Sequence, residues 1–295
     1  MMNRFKSRQD YYFDIINHGL LLLFLLIVSY PLLFVVSASI SDTMAVVSGK
    51  VWLFPKGINF EAYEKVFRDV AIITGYKNTV IYTVIGTLIN LAMTIIAAYP
   101  LSRKDLYGRN VLMFVFTFTM YFQGGLIPTY LVVKDLGMVN SMWALILPGA
   151  VSIWVIIIMR TYFQSNIPNE LYEASAIDGC SNLHMLFTIV LPLSSPIIAV
   201  SVLMYAVVHW NSYFSALVYI TEAGKYPLQM VLRQILIQNQ LQNMQDAMSS
   251  ITEQIMVGES IKYAVIIVAS LPVLILYPFL QKYFVKGIMI GAIKG

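Results

Sequence analysis

The stretch ELYEASAIDGC, residues 170–180, concentrates charge and small side chains between two strongly apolar parts of the chain. It carries three carboxylates, those of Glu170, Glu173 and Asp178. Acidic side chains complement the N-terminus of a helix, Pro168 suits a first helical turn, and alanines favour helix. Gly179 then permits a sharp turn before a second segment, SNLHMLFTIVLP. We therefore predict a helix, a turn and a second helix, with small exposed residues that the backbone of another protein could approach closely.

Residues that could carry catalytic chemistry are scattered along the chain. The three histidines, His18, His184 and His209, lie far apart in sequence and on different predicted segments. The stretches SGKV and AGKY lack the spacing and the hydroxyl of a phosphate-binding G-x-x-x-x-G-K-[ST] loop, and no zinc signature or Gly-x-Ser-x-Gly elbow occurs. We therefore predict a chain with no catalytic site and no metal site, which takes any energy it uses from a partner.

The composition is that of a membrane protein. Of the 295 residues, 59% are hydrophobic and only 12% are charged, and the mean hydropathy is +0.74. Average soluble domains carry about a quarter charged residues. The net charge of +4 comes from scattered basic residues, so the clustered basic face that nucleic-acid binding requires is missing. A single cysteine, Cys180, excludes an intramolecular disulfide and gives no information about the redox compartment.

Six segments are long and apolar enough to cross a bilayer core of about 30 Å, which takes roughly 20 helical residues. They cover approximately residues 15–40, 78–101, 111–133, 141–163, 191–219 and 260–281. The first is too long for the apolar part of a signal peptide, so we predict a retained helix. Prolines in or near the spans indicate a bundle whose neighbouring helices satisfy the freed carbonyls. The predicted fold is an all-α, multi-pass integral membrane protein that forms a single domain.

Basic residues predict the orientation of these spans. With both termini inside, the Lys and Arg counts on the two sides are nearly equal, so the counts alone do not decide. The positive-inside rule gives most weight to short segments, and both the N-terminal tail and the 102–110 loop are dense in charge. The outer basic residues lie mostly in two longer loops, which cross largely regardless of charge. We therefore expect both termini and residues 168–192 to be cytoplasmic.

The run ELYEASAIDGCSNLHMLFTIVLP resembles the EAA loop of permease subunits in ATP-binding-cassette (ABC) importers. That loop has the pattern E-A-A, three residues, then G, and it ends in L-P. The matching residues are Glu173, Ala174, Asp178, Gly179, Leu191 and Pro192. Ser175 replaces the second alanine and Cys180 replaces the alanine that usually follows the glycine, and both replacements are small.

Other stretches narrow this resemblance to carbohydrate permeases, and together they cover nearly the whole chain. The ending GIMIGAIKG is similar to the C-terminal tail of MalG-type maltose permeases. The run YFQGGLIPTYLVVKDLGMVNSMWALILPGAVS, and the later HWNSYF and YPLQMVLRQILI, resemble the LplC-like branch of carbohydrate permeases.

The resemblance implies a type I ABC importer permease fold in the cytoplasmic membrane and a defined set of partners. These are a second permease subunit, two ATPase subunits that bind ATP and Mg²⁺, an extracellular solute-binding protein, a carbohydrate and membrane lipid. This chain itself would bind no cofactor. The EAA loop would be the coupling loop, which transmits ATP-driven closure of the ATPases to the permease pair.

The same resemblance assigns roles to individual residues. Glu173 matches the family glutamate that forms a salt bridge with the ATPase, and Gly179 matches the glycine of the sharp turn. The residues expected to couple to the ATPase are Glu170, Glu173, Ala174, Ser175, Asp178 and Gly179. The tail 283–295 is expected to contact the ATPase pair through Gly287, Gly291, Lys294 and Gly295.

A sugar path needs polar groups inside the spans, because buried hydroxyls without partners cost free energy. The best candidates are Gln123 in the third span and His209, Trp210, Asn211 and Tyr213 near the outer end of the fifth. Helical spacing places Trp210 and Tyr213 on one face and directs Asn211 elsewhere. Two structural roles compete: interfacial aromatic belts for Trp and Tyr, and bonds between helices for the amides.

The outer loop 220–258 has an apolar helical stripe followed by a Gln- and Asn-rich stretch, QNQLQNMQDAMSS. The stripe consists of Leu228, Val231, Leu232, Ile235 and Leu236. Packing on the spans is the favoured role, and lying on the membrane or facing the binding protein are the alternatives. By resemblance to MalG-type permeases, the polar part is a candidate for contact with the binding protein.

Three other functions compete with the carbohydrate permease. The first is an ABC permease for a solute other than a sugar. The second, an ion-coupled secondary transporter, requires paired intramembrane charges or inverted repeats, and the sequence shows neither. The third, an intramembrane enzyme, requires a catalytic pair inside the bilayer that these residues do not provide.

Overall fold

The computed structural model describes residues 8–245, 261–275 and 277–278, and every regular element within them is helical. The α-helices, in chain order, are α1 (Arg8–Ser39), α2 (Thr43–Val47), α3 (Glu61–Arg68), α4 (Val70–Ser102), α5 (Arg109–Tyr121), α6 (Leu126–Asp135), α7 (Met142–Ile146), α8 (Ile153–Asn166), α9 (Asn169–Ile177), α10 (Asn182–Met185), α11 (Leu191–Leu193), α12 (Ser195–Trp210), α13 (Tyr213–Tyr219), α14 (Leu228–Gln245) and α15 (Ile261–Ile275). Leu147–Gly149 and Ala223–Lys225 form 3-10 turns, and Leu186–Val190 is a π-helical segment. The all-α fold is confirmed for these residues.

The chain divides into two compact units. The first contains the residues up to Asp69 together with 234–270, and the second contains residues 70–233 together with those from Leu271 onward. Every residue of the predicted coupling loop and every described candidate for the sugar path belongs to the second unit.

The first unit is built on α1, whose stretch Tyr11–Ser39 is long and apolar enough to cross a membrane. This stretch coincides closely with the predicted span 15–40. After α1 the chain folds back on the end of the helix. The Ser37 hydroxyl donates to the Leu53 carbonyl at 2.6 Å, and the Tyr63 hydroxyl donates to Ser39 Oγ at 2.8 Å.

The second unit is organised around α4, the other helix in the described residues that is long and apolar enough to span a membrane by itself. It has 33 residues and begins eight residues before the predicted start at 78. The additional first turns contribute buried residues, Ile72 and Gly75. Its most extensive contacts are with α12, followed by those with α8.

Two predicted spans are bent where the sequence predicts continuous helices, and the helix that leads into the fifth span meets that span at an angle. The segments α5 and α6 meet at 108°, Met142–Gly149 and α8 at 51°, and Asn182–Leu193 and α12 at 83°. If each bent pair is one span, the described residues contain up to five spans. The predicted sixth, 260–281, is represented by the helix Ile261–Ile275.

Glycine and proline account for these bends. Gly125, between α5 and α6, has φ of +85°, which no other residue adopts readily. Pro148 stands in the turn before α8. Pro192 and Pro196 flank the third bend and lack the N–H groups that would continue the ladder of hydrogen bonds. The proline signals were visible in the sequence, but hydropathy averages over a bend.

A stripe of small and polar residues runs along one face of α4. The sequence predicted an apolar span here but not this stripe. These residues recur at steps of four or seven positions, so they share one face: Gly75, Thr79, Gly86, Asn90 and Thr94. All five are buried. Small residues let helix backbones approach closely inside membranes, and polar ones bond between helices. The stripe therefore identifies the face on which other elements pack.

At one end of this stripe, the first residues of α14 pack against α4. Thr79 Oγ1 accepts a hydrogen bond from the Leu228 backbone N–H at 2.7 Å. A Cβ added to Gly75 would lie 3.2 Å from Leu228 Cα and 3.0 Å from Val231 Cγ2. The first residues of the predicted apolar stripe in 220–258 thus pack on a span, which was the favoured of its three roles.

In the middle of the stripe, α4 meets α12, and we call this contact the α4–α12 seam. A Cβ on Gly86 would lie 2.5 Å from the His209 ring, so the imidazole occupies the space that a side chain would need. His209 Nε2 lies 3.2 Å from Asn90 Oδ1, and Asn90 Nδ2 donates to the Gly149 carbonyl at 2.9 Å. Because Asn90 Oδ1 can only accept, the imidazole donates through Nε2. One amide therefore joins α4 to α12 and satisfies a carbonyl freed by a bend.

Candidate functional site

The helix–turn–helix predicted for residues 168–192 is present, with α9 followed by a turn and α10. Pro168 stands just before the first helical residue, and Glu170 lies in the first turn of α9, where a carboxylate complements the helix dipole. The Ser181 hydroxyl then caps α10 by accepting from the His184 backbone N–H at 3.3 Å. Local sequence signals thus determine both ends of the turn.

Gly179 ends α9 in a Schellman arrangement. Its φ is +68°, its N–H donates to the Ala176 carbonyl at 3.1 Å, and the Cys180 N–H donates to the Ser175 carbonyl at 2.9 Å. No atom lies within 4 Å of the position that a Cβ would take. Glycine is therefore required here by the backbone conformation and not by lack of space.

One face of α9 is exposed and the other is anchored. The exposed face contains Glu170, Glu173, Ala174 and Ile177, and the exposure continues through Asp178 and Gly179. The opposite face packs Leu171 and Tyr172 on a hydrophobic core formed by the ends of α4, α8 and the π-helical segment. Of the six predicted coupling residues, Ser175 alone is buried, and its hydroxyl donates to the Tyr172 carbonyl at 2.9 Å. Five of the six therefore remain accessible to another protein.

The anchor of α9 is the C-terminal end of α4, where three successive carbonyls receive side-chain donors. Arg160 Nε donates to the Leu101 carbonyl at 2.9 Å, and Gln164 Nε2 donates to the Ser102 carbonyl at 3.2 Å. Arg109 Nη1 donates to the third carbonyl, that of Arg103, at 3.1 Å. Helix C-termini leave such carbonyls unsatisfied, and cationic donors complement the dipole there. The end of α4 is thus tied to α8 and α5.

Arg103 links this end of α4 to α9. Its guanidinium donates to both carboxylate oxygens of Asp105, at 2.9 and 2.8 Å, and lies over the Tyr172 ring at 4.4 Å from the ring centroid. The hydrogen bonds from Arg103 hold the pKa of the Asp105 carboxyl below its usual range, and burial raises the pKa of Tyr172. We call the contacts among these residues, the end of α4 and α9 the α4–α9 junction.

Two cavities flank Arg103. One, of about 340 Å³, lies between the loop after α4 and α9 and is lined by Arg103, Lys104, Asn169, Tyr172 and Glu173, among others. The other, of about 380 Å³, is mostly apolar and opens between α4 and α10. The sequence did not suggest Arg103 or Tyr172. The dense charge of the 102–110 loop could have drawn attention to Arg103, but its contact with Tyr172 depends on the fold and is not visible in the sequence.

The structure divides the predicted sugar-path residues into two groups. His209 and Trp210 are buried, with 5% and 7% of their surfaces exposed. His209 belongs to the α4–α12 seam, and the Trp210 ring meets the Tyr76 ring edge-on at 5.7 Å between centroids. Both side chains therefore pack against residues of α4.

The prediction that residues 209–213 continue one helix is wrong. The helix α12 ends at Trp210, the chain bends at Asn211 and Ser212, and α13 begins at Tyr213. Asn211 is exposed and Tyr213 is partly exposed. Gln123, also exposed, lies in the bend between α5 and α6. The bend redirects Tyr213, so the faces predicted from helical spacing do not apply.

Asn211 and Tyr213 meet two residues of α14 that the sequence did not single out. Gln229 Nε2 lies 3.5 Å from Asn211 Oδ1, and the Arg233 guanidinium lies 5.0 Å from the centroid of the Tyr213 ring. Gln229 and Arg233 are four residues apart on α14 and so share a face. The four-residue spacing of Gln229 and Arg233 could have predicted this polar face, but only the apolar stripe of the same helix was predicted from the sequence.

Some predicted residues lie outside the described part of the chain. These are the tail residues Gly287, Gly291, Lys294 and Gly295 and the polar end of the outer loop beyond residue 245.

Comparisons with known proteins address the family directly. Residues 70–290 match the family model described as "Binding-protein-dependent transport system inner membrane component". The chain is 46% identical, over 284 residues, to the polygalacturonan/rhamnogalacturonan transport system permease protein YtcP of Bacillus subtilis, covering 96% of this chain and 98% of YtcP. It is 42% identical to protein LplC of Bacillus subtilis over 270 residues, 90% of this chain and 89% of LplC.

A solved structure agrees with these relatives. The crystal structure of a bacterial ABC transporter involved in the import of the acidic polysaccharide alginate contains a chain that is 36% identical to this one, with a TM-score of 0.85. The match covers 96% of this chain and 100% of the other. The chain therefore belongs to the family of inner membrane components of binding-protein-dependent transport systems, as its resemblance to ABC importer permeases predicted.

Proposed function

We propose that this chain is a permease subunit of an ABC importer for a carbohydrate and that α9 with its turn is the coupling element. The observation that carries the proposal is the two-sided character of α9. Its acidic and small residues face outward, while Leu171 and Tyr172 fix the helix to a core that includes the ends of α4 and α8. A force applied to the exposed face therefore reaches two spans through packed side chains.

The proposed assembly contains a second permease, two ATPase subunits that bind ATP and Mg²⁺, and an extracellular binding protein. In this proposal the chain has six spans and both termini in the cytoplasm, so that α9 faces the ATPase subunits. The tail 283–295 reaches the ATPase pair through the residues named above. Family membership supports this set of partners in general, and the dense charge of the 102–110 loop supports the orientation.

The substrate we propose is an oligosaccharide released from an acidic polysaccharide. Two findings support this class: YtcP is named for polygalacturonan and rhamnogalacturonan, and the solved importer takes up alginate. All three polymers carry carboxylates on sugar rings, so a permease that resembles both chains over nearly their full length is expected to admit charged sugars.

Two substitutions test the coupling role. Glu173→Ala removes a charge-assisted contact of about 1.5–3 kcal/mol, so ATPase binding should weaken by about tenfold or more. Gly179→Asp adds a side chain and a charge to the turn. In both variants, the yield in the membrane should be normal, while the amount of co-purified ATPase and transport into vesicles should fall.

Matched controls separate docking from backbone strain. Gly49 has the same φ of +68° and the same open surroundings as Gly179, so Gly49→Asp introduces equal strain outside α9. Glu64→Ala, which removes an exposed glutamate from α3, is the control for Glu173→Ala. Normal transport by both α9 variants would show that α9 is not the coupling element.

Removal of residues 287–295 tests the proposed tail contact. We expect membrane insertion to be unchanged and the ATP hydrolysis stimulated by loaded binding protein to fall. Unchanged stimulation contradicts a role for the tail.

A further inference from the structure

We propose that Asn211, Tyr213, Gln229 and Arg233 form a subsite for one acidic sugar ring, in which Arg233 binds the ring carboxylate. The inference rests on the proposed carbohydrate function and adds the residues of this chain that recognise the charge. Its geometric basis is the meeting of one face of α14 with the bend between α12 and α13.

Arg233 has the chemistry and the surroundings for this role. None of the ion pairs between described side chains includes it, and the side chain is exposed. Its guanidinium lies 5.0 Å from the Tyr213 ring centroid, and stacking on an aromatic face holds the planar group while its N–H edges remain able to donate. A guanidinium held in this way matches the two oxygens of a carboxylate.

The neighbouring amides suit the sugar hydroxyls. Asn211 Nδ2 donates to the Val207 carbonyl at 2.8 Å, which fixes the orientation of the amide and directs Oδ1 toward Gln229. The bond from Gln229 Nε2 to Asn211 Oδ1 is long, at 3.5 Å. A bond of that length is weak, so hydroxyls can replace it at little cost. The subsite then offers a fixed acceptor, a movable donor and a cation.

The position along the path also fits. The helix α12 has 16 residues, so about 24 Å separates the subsite from the end of α12 that follows the coupling loop. In the proposed orientation, the subsite lies at the outer end of the fifth span, where a sugar leaves the binding protein. Lys225, the basic residue that precedes Arg233 in the sequence, is paired with Glu222 at 2.7 Å, whereas none of the ion pairs between described side chains includes Arg233.

The test uses the assembled importer in proteoliposomes with its binding protein, and two substrates, trigalacturonate and its methyl ester. For each substrate, the transport rate of Arg233→Gln is divided by that of the unmodified importer. Both rates use the same loaded binding protein, so the preference of the binding protein cancels. For the acid, we expect Arg233→Gln to transport about tenfold or more slowly than the unmodified importer. For the ester, we expect the two rates to differ by less than about twofold.

Two further variants make the result specific. Arg68→Gln removes an exposed arginine from α3 and should transport both the acid and the ester at the rate of the unmodified importer. Arg233→Lys keeps the charge and should retain more acid transport than Arg233→Gln. If the ester is not carried at all, the comparison of Lys with Gln on the acid decides, and an equal loss in both overturns the subsite.

The failure of the subsite differs from the failure of the proposed function. Equal ratios for acid and ester, or transport of the ester alone, overturn the subsite and leave the carbohydrate permease intact. An importer that carries no carbohydrate from its loaded binding protein overturns the proposed function and the subsite with it.

Discussion

The α4–α12 seam and the α4–α9 junction lie on the same helix but hold their partners by different means. In the seam, the contacts are buried and short: a glycine faces an imidazole, and one amide joins three elements. In the junction, side-chain donors reach the last carbonyls of α4, and a guanidinium stacks on an exposed helix's tyrosine. The first arrangement depends on shape, and the second depends on charge and hydrogen bonds.

This difference separates two kinds of failure. A change in the seam leaves a cavity or a clash that the packed surroundings cannot absorb, so it should reduce the amount of assembled protein. A change in the junction leaves water-accessible groups that can be solvated, so the protein should assemble but transmit force less well. Measuring assembly and coupling on the same samples therefore distinguishes the two regions.

Trp210→Ala should have the largest effect. The indole is 7% exposed and packs on Tyr76, so its removal leaves a cavity that costs about 3–5 kcal/mol. The yield of monodisperse protein after extraction should fall sharply. Normal yield with a selective loss of sugar transport would instead support the predicted place of Trp210 on the sugar path.

Gly86→Ala should come next, because the new Cβ would lie 2.5 Å from the His209 ring. Overpacking of this kind costs about 1–3 kcal/mol. The thermal midpoint of the purified protein should drop. Gly149→Ala is the matched control, since no atom lies within 4 Å of its Cβ position and its carbonyl is kept. A stable Gly86→Ala protein would show that the seam can open.

Arg103→Met should have a moderate effect of the other kind. It removes the stacked charge, worth about 0.5–1 kcal/mol, but keeps the apolar stem on Tyr172. Transport per ATP hydrolysed should fall about two- to fivefold with unchanged yield. Lys104→Met changes the exposed neighbouring cation and should be neutral. A fall in yield without a change in coupling would place Arg103 with the seam residues.

Asp105→Asn should have the smallest effect, because the carboxylate is largely exposed and its ion pair is screened by solvent. Its pKa is lowered in the folded protein, so the contribution of the pair is present above the ordinary pKa and is lost only as the pH falls through the lowered value. The difference in coupling between the variant and the unmodified protein should therefore stay constant between about pH 5 and 8. A difference that disappears near pH 6 contradicts this assignment.

Local signals predicted the helix–turn–helix of residues 168–192 well, because its shape depends on neighbours in sequence. The cap before α9, the positive φ of Gly179 and the second helix all follow from residues within a few positions. Hydropathy also predicted α1 and the presence of α4, because long apolar runs need no tertiary information.

The bends and the polar contacts could not be predicted in the same way. A window average does not register the 108° turn at Gly125, and the contacts of His209 and Arg233 are with other helices, Asn90 on α4 and Tyr213 on α13. Asn90 illustrates the difficulty: one amide in an apolar span scarcely alters the hydropathy, but it satisfies a carbonyl that the bend beyond α7 leaves free.

The closeness of Gly86 to the His209 ring has a consequence for how this sequence can change over time. Position 86 cannot accept a side chain while the imidazole of His209 is present, since the space for it is filled from 209. A homologue with a side chain at the first position should carry a smaller residue at the second, and loss of the imidazole should be followed by gain of bulk at 86. The two positions, 123 residues apart, are expected to be inherited as a pair.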